Sequence, residues 1–319
     1  MKYRRLGKTG LRVSVIGIGT WQFGGEWGKE FSQPDVDQIF DRARDLGMNL
    51  IDTAECYGDH TAERLIGAAI ARDRDKWIVA TKVGHKFLSY MKRIDTRTPE
   101  TVREELEASL KALRTDYIDI EQYHSWGDDT FFNPEVLAVL EQARSAGKIR
   151  HIGNSVSKND NVNQIAASAR MDIQTIQIIY NRLDRTPEKT TFPICIEQDL
   201  GVMARVPLAS GFLSGKYKPG HQFPQGDVRS TRDSAQIDKK LREVEKIARE
   251  EVPPSVPMAE WTLAWCLKHP AVSTTIPGVK SIDQLESNAR AADLDLVRDD
   301  HPQAWKLEAA AESSASDTP

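Results

Sequence analysis

The chain has 319 residues, of which 39% are hydrophobic and 28% charged, so it can form one large α/β domain or two small ones. Its 43 basic and 47 acidic residues are interspersed and leave a net charge of -4, which indicates neither a nucleic-acid partner nor a membrane surface. No apolar run is long enough for a membrane helix. The scattered cysteines Cys56, Cys195 and Cys266 and the histidines show no metal-ligand spacing. We therefore predict a cytoplasmic protein without a metal.

The first residues predict a β-hairpin. Two short strand-like runs, at 3–6 and 11–16, flank the Gly-Lys-Thr-Gly turn at 7–10. We expect this hairpin to cap one end of a larger body.

Strands and helices then alternate along most of the chain. Strands are predicted at 15–19, 50–52, 77–82, 117–122, 149–153, 173–179, 201–206 and 272–276, and helices at 35–46, 62–71, 99–113, 134–146, 165–169, 187–199 and 258–268. Crossover helices join parallel strands, and eight such units in a chain of this length favour a closed (β/α)8 TIM barrel. An open dinucleotide-binding sheet is disfavoured, because Gln22 stands where the third glycine of its motif is required.

Two stretches interrupt the alternation. A long insertion follows the seventh strand, from 207 to 257, with a charged helix at about 235–251; a loop of this length is more often functional than idle. The tail after Arg290 is polar, and we expect it to be partly disordered. We predict one domain over residues 1–290 and a tail over 291–319.

Four chemically active side chains stand at or just beyond predicted strand ends: Asp52, Tyr57, Lys82 and His124. A barrel would bring them together at one mouth. An ammonium group lowers the pKa of a nearby phenol, and a paired carboxylate keeps that ammonium charged. Together with a histidine, such a set suits proton donation to a carbonyl oxygen during hydride reduction. Taken singly, each of the four also fits an ordinary structural role.

The three short segments that carry these four side chains resemble the active-site segments of the aldo-keto reductase superfamily, in particular bacterial members related to the channel-β-subunit-like branch. They are residues 52–58 (Asp-Thr-Ala-Glu-Cys-Tyr-Gly), 80–84 (Ala-Thr-Lys-Val-Gly) and 123–126 (Tyr-His-Ser-Trp). The resemblance implies a (β/α)8 barrel that binds NADPH without the dinucleotide motif. It makes Tyr57 the general acid/base, with Lys82 and Asp52 tuning its pKa and His124 orienting the substrate.

The resemblance also implies a site for NADPH or NADP+. The nicotinamide end would be formed by Gly19, Thr20, Trp21, Asp52, Ser155, Gln177 and Arg205, the pyrophosphate loop by Pro207, Leu208, Ser210, Gly211, Leu213 and Lys216, and the adenosine end by Arg229, Pro277, Gly278, Lys280, Gln284 and Asn288. Two cations, Arg229 and Lys280, suit a 2′-phosphate and favour NADPH over NADH. Lys280 equally fits an exposed charge at the start of a helix.

Two positions depart from the family pattern. Val156 replaces the asparagine usually found beside Ser155, so one carboxamide hydrogen bond is lost unless Asn154 or a backbone group supplies it. Arg205 stands where many relatives place an aromatic ring on the nicotinamide, and its planar guanidinium can stack as well.

The first functional hypothesis is NADPH-dependent reduction of an aldehyde, ketone or sugar, with Tyr57 as proton donor. Its substrate contacts would be Trp21, Tyr57, His124 and Trp126, although core packing also explains such aromatics. A second hypothesis is an NADPH-binding redox sensor with little turnover, like the channel-associated branch, and a third is a barrel enzyme of unrelated chemistry. The sequence carries no signal for an oligomeric state.

Overall fold

The computed structural model describes residues 1–90, 92–225 and 227–305. Their strands are β1 (Tyr3–Arg5), β2 (Arg12–Ser14), β3 (Ile18–Gly19), β4 (Leu50–Asp52), β5 (Ile78–Val83), β6 (His85–Ser89), β7 (Lys92–Asp95), β8 (Ile118–His124), β9 (Ile149–Ser155), β10 (Thr175–Ile179), β11 (Gly201–Arg205) and β12 (Val272–Thr275). Their α-helices are α1 (Gln33–Asp45), α2 (Thr61–Ile70), α3 (Pro99–Leu113), α4 (Asp128–Phe131), α5 (Pro134–Ser145), α6 (Val162–Ala166), α7 (Thr186–Lys189), α8 (Phe192–Glu197), α9 (Ser234–Glu250), α10 (Met258–Leu267) and α11 (Ile282–Arg290). None of these helices combines the length and the apolar character that crossing a bilayer requires.

The centre of the fold is a curled parallel sheet of eight strands. Its order from one edge to the other is β3, β4, β5, β8, β9, β10, β11 and β12, which follows the chain. Two isolated parallel bridges, Ile16 with Thr275 and Gly19 with Gly278, join the first edge to the last. All eight predicted strands are present, with bounds within three residues of those expected. The strands run parallel, so their carboxyl ends all lie at one side of the sheet.

The antiparallel pair β1 and β2 contacts residues near the amino ends of sheet strands, as where Gly7, just after β1, bridges to Leu200, just before β11. Leu6, just after β1, is fully buried in a cluster inside the sheet with Val13, Leu50, Ala80, Ile120, Met203 and Ile276. The buried guanidinium of Arg4 donates to the carbonyl oxygens of Val272, at 2.6 Å, and Leu267, at 2.9 Å. These contacts fix the pair to the start of β12.

The predicted helix over 187–199 is two short helices, α7 and α8. Pro193 lies in the first turn of α8 and has no backbone N–H to donate to the carbonyl oxygen four residues earlier, at the end of α7. A single helix therefore cannot run through this segment. The predicted helix at 99–113 is confirmed, and the Thr98 side chain caps it by accepting a hydrogen bond from the Thr101 backbone N–H.

The antiparallel pair β6 and β7 was not predicted. Its side chains are mostly half-buried or exposed, so it lacks the alternation of apolar and polar residues by which a strand is recognised. The pair follows β5 directly, at the carboxyl side of the sheet.

The long insertion has an apolar cluster of its own. Buried residues from the 3-10 segment Ala209–Ser214, from α9 and from the facing side of α10 form one cluster: Phe212, Leu213, Ile237, Leu241, Val244, Ile247, Met258 and Trp261. The segment 207–216 is thereby held beside the carboxyl ends of the strands.

The predicted tail starts at 291, and its last part, 306–319, lies outside the described residues. The preceding part contacts the first hairpin: Ala304 bridges to Arg4, and the Trp305 backbone donates to the Tyr3 carbonyl oxygen at 2.9 Å.

Candidate active site

A cavity of about 520 Å³ opens at the carboxyl ends of the strands. Of the residues predicted for the site, those that line it are Gly19, Thr20, Trp21, Asp52, Tyr57, His124, Ser155, Gln177, Arg205, Pro207, Leu208, Ser210, Gly211, Lys216, Arg229, Pro277, Gly278, Lys280, Gln284 and Asn288. The three predicted residues outside the lining are Lys82, Leu213 and Trp126. The tertiary structure thus gathers side chains from across the chain around one space.

Lys82 lies directly behind Tyr57. Its ammonium donates to Asp52 Oδ1 at 2.8 Å and to the Thr53 carbonyl oxygen at 2.6 Å, and lies 3.4 Å from the phenol oxygen of Tyr57. Burial by itself would lower the pKa of Lys82, but the charge of Asp52 and the contact with Tyr57 raise it above its ordinary value. Lys82 is therefore a charged ammonium beside the phenol.

The pKa of Tyr57 differs from the sequence-based expectation. Burial raises it to about 12, and the neighbouring Lys82 opposes this shift without reversing it. The prediction of a lowered pKa is wrong, because desolvation of a phenolate outweighs one ammonium whose charge Asp52 already shares. Tyr57 is a protonated phenol at neutral pH, which is the form that donates a proton.

His124 contributes a neutral imidazole to the cavity. Burial, followed by the positive charges of Lys82 and Arg93, lowers its pKa well below the ordinary value. Its ring lies edge-on to Tyr57, with 6.3 Å between the ring centres. A carbonyl oxygen between the two rings can accept hydrogen bonds from both.

Side chains from β10 and β9, which are not adjacent to β4 in the sheet, support Asp52. Gln177 Nε2 donates to Asp52 Oδ1 at 2.6 Å, and Ser155 Oγ donates to Gln177 Oε1 at 3.2 Å. Asn154 does not replace the missing asparagine, because it lies outside the cavity lining and donates to Gln164 at 3.0 Å. Arg205 donates to the Val156 carbonyl oxygen at 3.0 Å.

Cations collect at the other end of the cavity, although one of them is paired. Arg229 makes two hydrogen bonds to Asp227, from Nε at 2.9 Å and from Nη2 at 2.7 Å. Lys280 donates to the carbonyl oxygen of Trp27 at 2.6 Å. Burial, opposed by the charge of Asp227, lowers the pKa of Lys280.

Trp126 is misassigned as a substrate contact. It is fully buried, and its indole N–H donates to the Val83 carbonyl oxygen at 3.0 Å. The ring lies against Gly84, where the Cβ of any larger residue would come within 2.1 Å of the indole nitrogen. The missing side chain at Gly84 therefore makes room for this tryptophan in the core. Leu213 is likewise buried, in the apolar cluster of the insertion.

Sequence reasoning missed Arg93, which reaches the cavity from β7. It donates to both carboxylate oxygens of the buried Glu26, at 2.8 and 3.1 Å. Glu26 also accepts a hydrogen bond from the indole of Trp21, whose ring stacks on Tyr57 with 6.1 Å between centres. The only signal in the sequence was an arginine in a segment without a strand pattern.

Glu55, Cys56 and His124 place possible metal-ligand atoms within 4.8 Å of one another. Burial raises the pKa of the Glu55 carboxyl and of the Cys56 thiol well above their ordinary values. Protonated forms are poor metal ligands, so these shifts favour hydrogen bonding over metal binding.

The fold and the site define an enzyme with a buried lysine and carboxylate behind a protonated tyrosine, at the carboxyl ends of a parallel sheet. The sequence profile of the Aldo/keto reductase family matches residues 15–308, so the chain belongs to that family. It is an oxidoreductase of carbonyl compounds, and the resemblance seen in the sequence is confirmed.

Several known proteins are similar over most of their length. The chain is 31% identical to the NADH-specific methylglyoxal reductase of Escherichia coli K12, covering 93% of this chain and 95% of that one. It is 31% identical to the aldo-keto reductase YhdN of Bacillus subtilis 168, with 90% and 87% covered. The holo form of aldo-keto reductase AKR11C1 from Bacillus halodurans superposes with a TM-score of 0.76 at 30% identity, with 92% and 91% covered.

Proposed function

We propose that the protein reduces the carbonyl group of an aldehyde, ketone or sugar with NADPH, and that Tyr57 donates the proton. The observation that carries this proposal is the buried Lys82 ammonium, held by Asp52, 3.4 Å from the phenol oxygen.

We further propose a closed (β/α)8 barrel over residues 1–290, capped by the β1–β2 hairpin, with a functional insertion after its seventh strand. The three described cysteines are free and buried, in keeping with a reducing cytoplasm.

The residues of the cavity fit a nicotinamide nucleotide. Two buried donors that line it, Asn288 Nδ2 and Arg205 Nε, have no hydrogen-bond partner among the described residues. Such orphaned groups are rare unless a ligand satisfies them. Gly211 has a φ of +89° in the segment that borders the cavity, a conformation that glycine adopts freely and that lets backbone approach a phosphate closely. When bound, the nucleotide supplies the hydride.

The protein's own groups handle the substrate oxygen and the proton. Tyr57 and His124 can each donate a hydrogen bond to the carbonyl oxygen, which gains negative charge as it is reduced. Tyr57 then transfers its proton to that oxygen and becomes a phenolate. The Lys82 ammonium stabilises the phenolate. Asp52 holds that ammonium in place, and Gln177 donates a hydrogen bond to Asp52.

The direct test is the oxidation of NADPH against a panel of aldehydes, ketones and sugars, with NADH as the control. Consumption of NADPH that depends on a carbonyl substrate supports the proposal. No consumption with any member of the panel, while NADPH still binds, contradicts it.

The preference for NADPH rests on charge at the proposed adenosine end. Lys280 lies close enough to Lys29, Lys216, Arg229 and Asp227 for their charges to affect its pKa. Asp227 forms an ion pair with Arg229 and offsets its charge. The positive charges of Lys29, Lys216 and Lys280 remain around this end of the cavity. A 2′-phosphate adds negative charge there, and NADH lacks it. The Escherichia coli relative is named NADH-specific, so the choice requires a direct measurement.

We expect Lys280→Met to weaken NADPH binding roughly 10-fold or more, because one charge-assisted contact to phosphate is lost. NADH binding should be nearly unaffected. The measurement is quenching of tryptophan fluorescence during titration with each nucleotide, and Lys218→Met, an exposed lysine of the insertion, is the control. Equal weakening of both nucleotides would contradict a role in 2′-phosphate recognition.

We expect Arg93→Ala to lower kcat/KM for the carbonyl substrate by roughly 10- to 100-fold, because misplaced active-site groups carry costs of this order. Arg93 fixes the Glu26 carboxylate, and Glu26 positions Trp21 over Tyr57. Without Arg93, both Glu26 and Trp21 lose their fixed positions. Steady-state kinetics at saturating nucleotide measures the effect. Lys92→Ala changes an exposed neighbour on the same strand and should be silent; similar losses in both variants would refute the role of the Arg93–Glu26 pair.

A further inference from the structure

A buried carboxyl group lies behind His124, outside the cavity lining. Glu55, three residues after β4, is only 2% exposed. Its Oε1 accepts a hydrogen bond from the His85 backbone N–H at 2.9 Å and lies 3.4 Å from Nδ1 of His124. In the described part of the chain, Glu55 has no ion-pair partner except His124, and its Oε2 has no hydrogen-bond partner.

These surroundings favour a neutral pair. A buried carboxylate without a cationic partner is costly, so the group takes up a proton instead. Burial, together with the charges of Glu105 and Glu63, raises the pKa of Glu55 accordingly. His124 is also neutral, since burial and nearby cations lower its pKa. The pair therefore holds one carboxyl proton and one imidazole proton.

The hydrogen-bond contacts indicate where these two protons lie. A carboxyl proton on Oε2 would be a buried donor without an acceptor, which is rarer in proteins than an unpaired carbonyl oxygen. A proton on Oε1 has an acceptor, the Nδ1 of His124, which also lies 3.7 Å from the Cys56 thiol, itself only a weak donor. The ring proton must then be on Nε2. His124 lines the cavity while its Nδ1 faces Glu55, so Nε2 is the nitrogen available to a substrate.

We propose that Glu55 is a positioning residue that donates an O–H hydrogen bond to Nδ1 of His124 and so fixes the ring proton on Nε2. This inference rests on the proposed function, because a carbonyl oxygen accepts hydrogen bonds and is held only by the Nε2–H form. The other tautomer would present a lone pair to the substrate oxygen and repel it. Glu55 thus acts on the substrate through His124 without touching it.

Glu55→Gln gives a sharp test, because the amide is nearly the same size. The His85 N–H requires an acceptor at the position of Oε1, so the amide oxygen takes that place and can only accept from Nδ1. We expect the ring proton to move to Nδ1 and kcat to fall roughly 100-fold, with cofactor affinity unchanged. Two-bond ¹H–¹⁵N spectra of the histidine rings report the tautomer, with His124→Asn used to assign the signals.

Glu121→Gln is the matched control. Glu121 is another buried glutamate with a raised pKa, three residues before His124 on β8, and its substitution should change neither the His124 tautomer nor kcat. A proton on Nδ1 in the wild type, or an unchanged tautomer in Glu55→Gln, would overturn the inference; the wild-type spectrum decides alone if the variant does not fold. The spectrum needs no turnover, so a wild type that carries the proton on Nε2 but reduces no carbonyl would refute the proposed function and not this assignment.

Discussion

Replacing Tyr57 with phenylalanine is expected to lower kcat for carbonyl reduction by roughly 10³- to 10⁴-fold, the upper range for loss of a positioned general acid. The substitution removes only the hydroxyl group that donates the proton, so the ring contact with Trp21 and the shape of the cavity are retained. Affinity for the nucleotide should therefore be unchanged. Single-turnover reduction at saturating NADPH measures the chemical step directly.

Tyr123→Phe provides the matched control for this result. Tyr123 is fully buried one residue before His124, and its hydroxyl group has no hydrogen-bond partner among the described residues. Removing that hydroxyl should leave kcat near the wild-type value. Equal rates for Tyr57→Phe and the wild type would disprove Tyr57 as the proton donor.

Replacing Lys82 with methionine should damage both catalysis and folding. Without the ammonium, the phenolate formed on Tyr57 is not stabilised, and we expect kcat to fall roughly 10²- to 10³-fold. The substitution also leaves Asp52 buried without its cationic partner, which typically costs about 3–5 kcal/mol of unfolding free energy. Urea denaturation and single-turnover kinetics measure the two effects separately.

The double variant Asp52→Asn with Lys82→Met separates these two effects. The orphaned charge is removed, so most of the lost unfolding free energy should return. The phenolate still has no ammonium beside it, so kcat should stay low. Recovery of both stability and activity would mean that Lys82 serves only to neutralise Asp52.

The eight strands could be predicted because they are buried on both faces. Strands β8 and β11 are continuous or nearly continuous buried runs, and the amphipathic helices between them mark where each begins and ends. The single helix predicted at 187–199 is wrong because Pro193 removes a backbone N–H donor in the middle of that segment. The strands β6 and β7 were not predicted because their residues lie at or near the surface, where packing does not impose an alternation of apolar and polar residues.

The four candidate active-site residues were recognisable from sequence because each stands at or just after a strand end, in a recurring local motif. Their pKa values were not, because these depend on burial and on charges contributed by distant segments. The phenol of Tyr57 shows this: the presence of Lys82 is written in the sequence, but the desolvation that raises the pKa to about 12 is a property of the closed cavity.

By itself, the sequence determined the alternation of strands and helices and the family, and it predicted the four candidate residues Asp52, Tyr57, Lys82 and His124, since these depend on local pattern and spacing. Only the tertiary structure decided which other side chains meet them. It brought Arg93 and Glu26 to Trp21, moved Trp126 into the core above Gly84, and placed Glu55 behind His124. These contacts join residues far apart in the chain, and their geometry is set by packing, which local sequence does not encode.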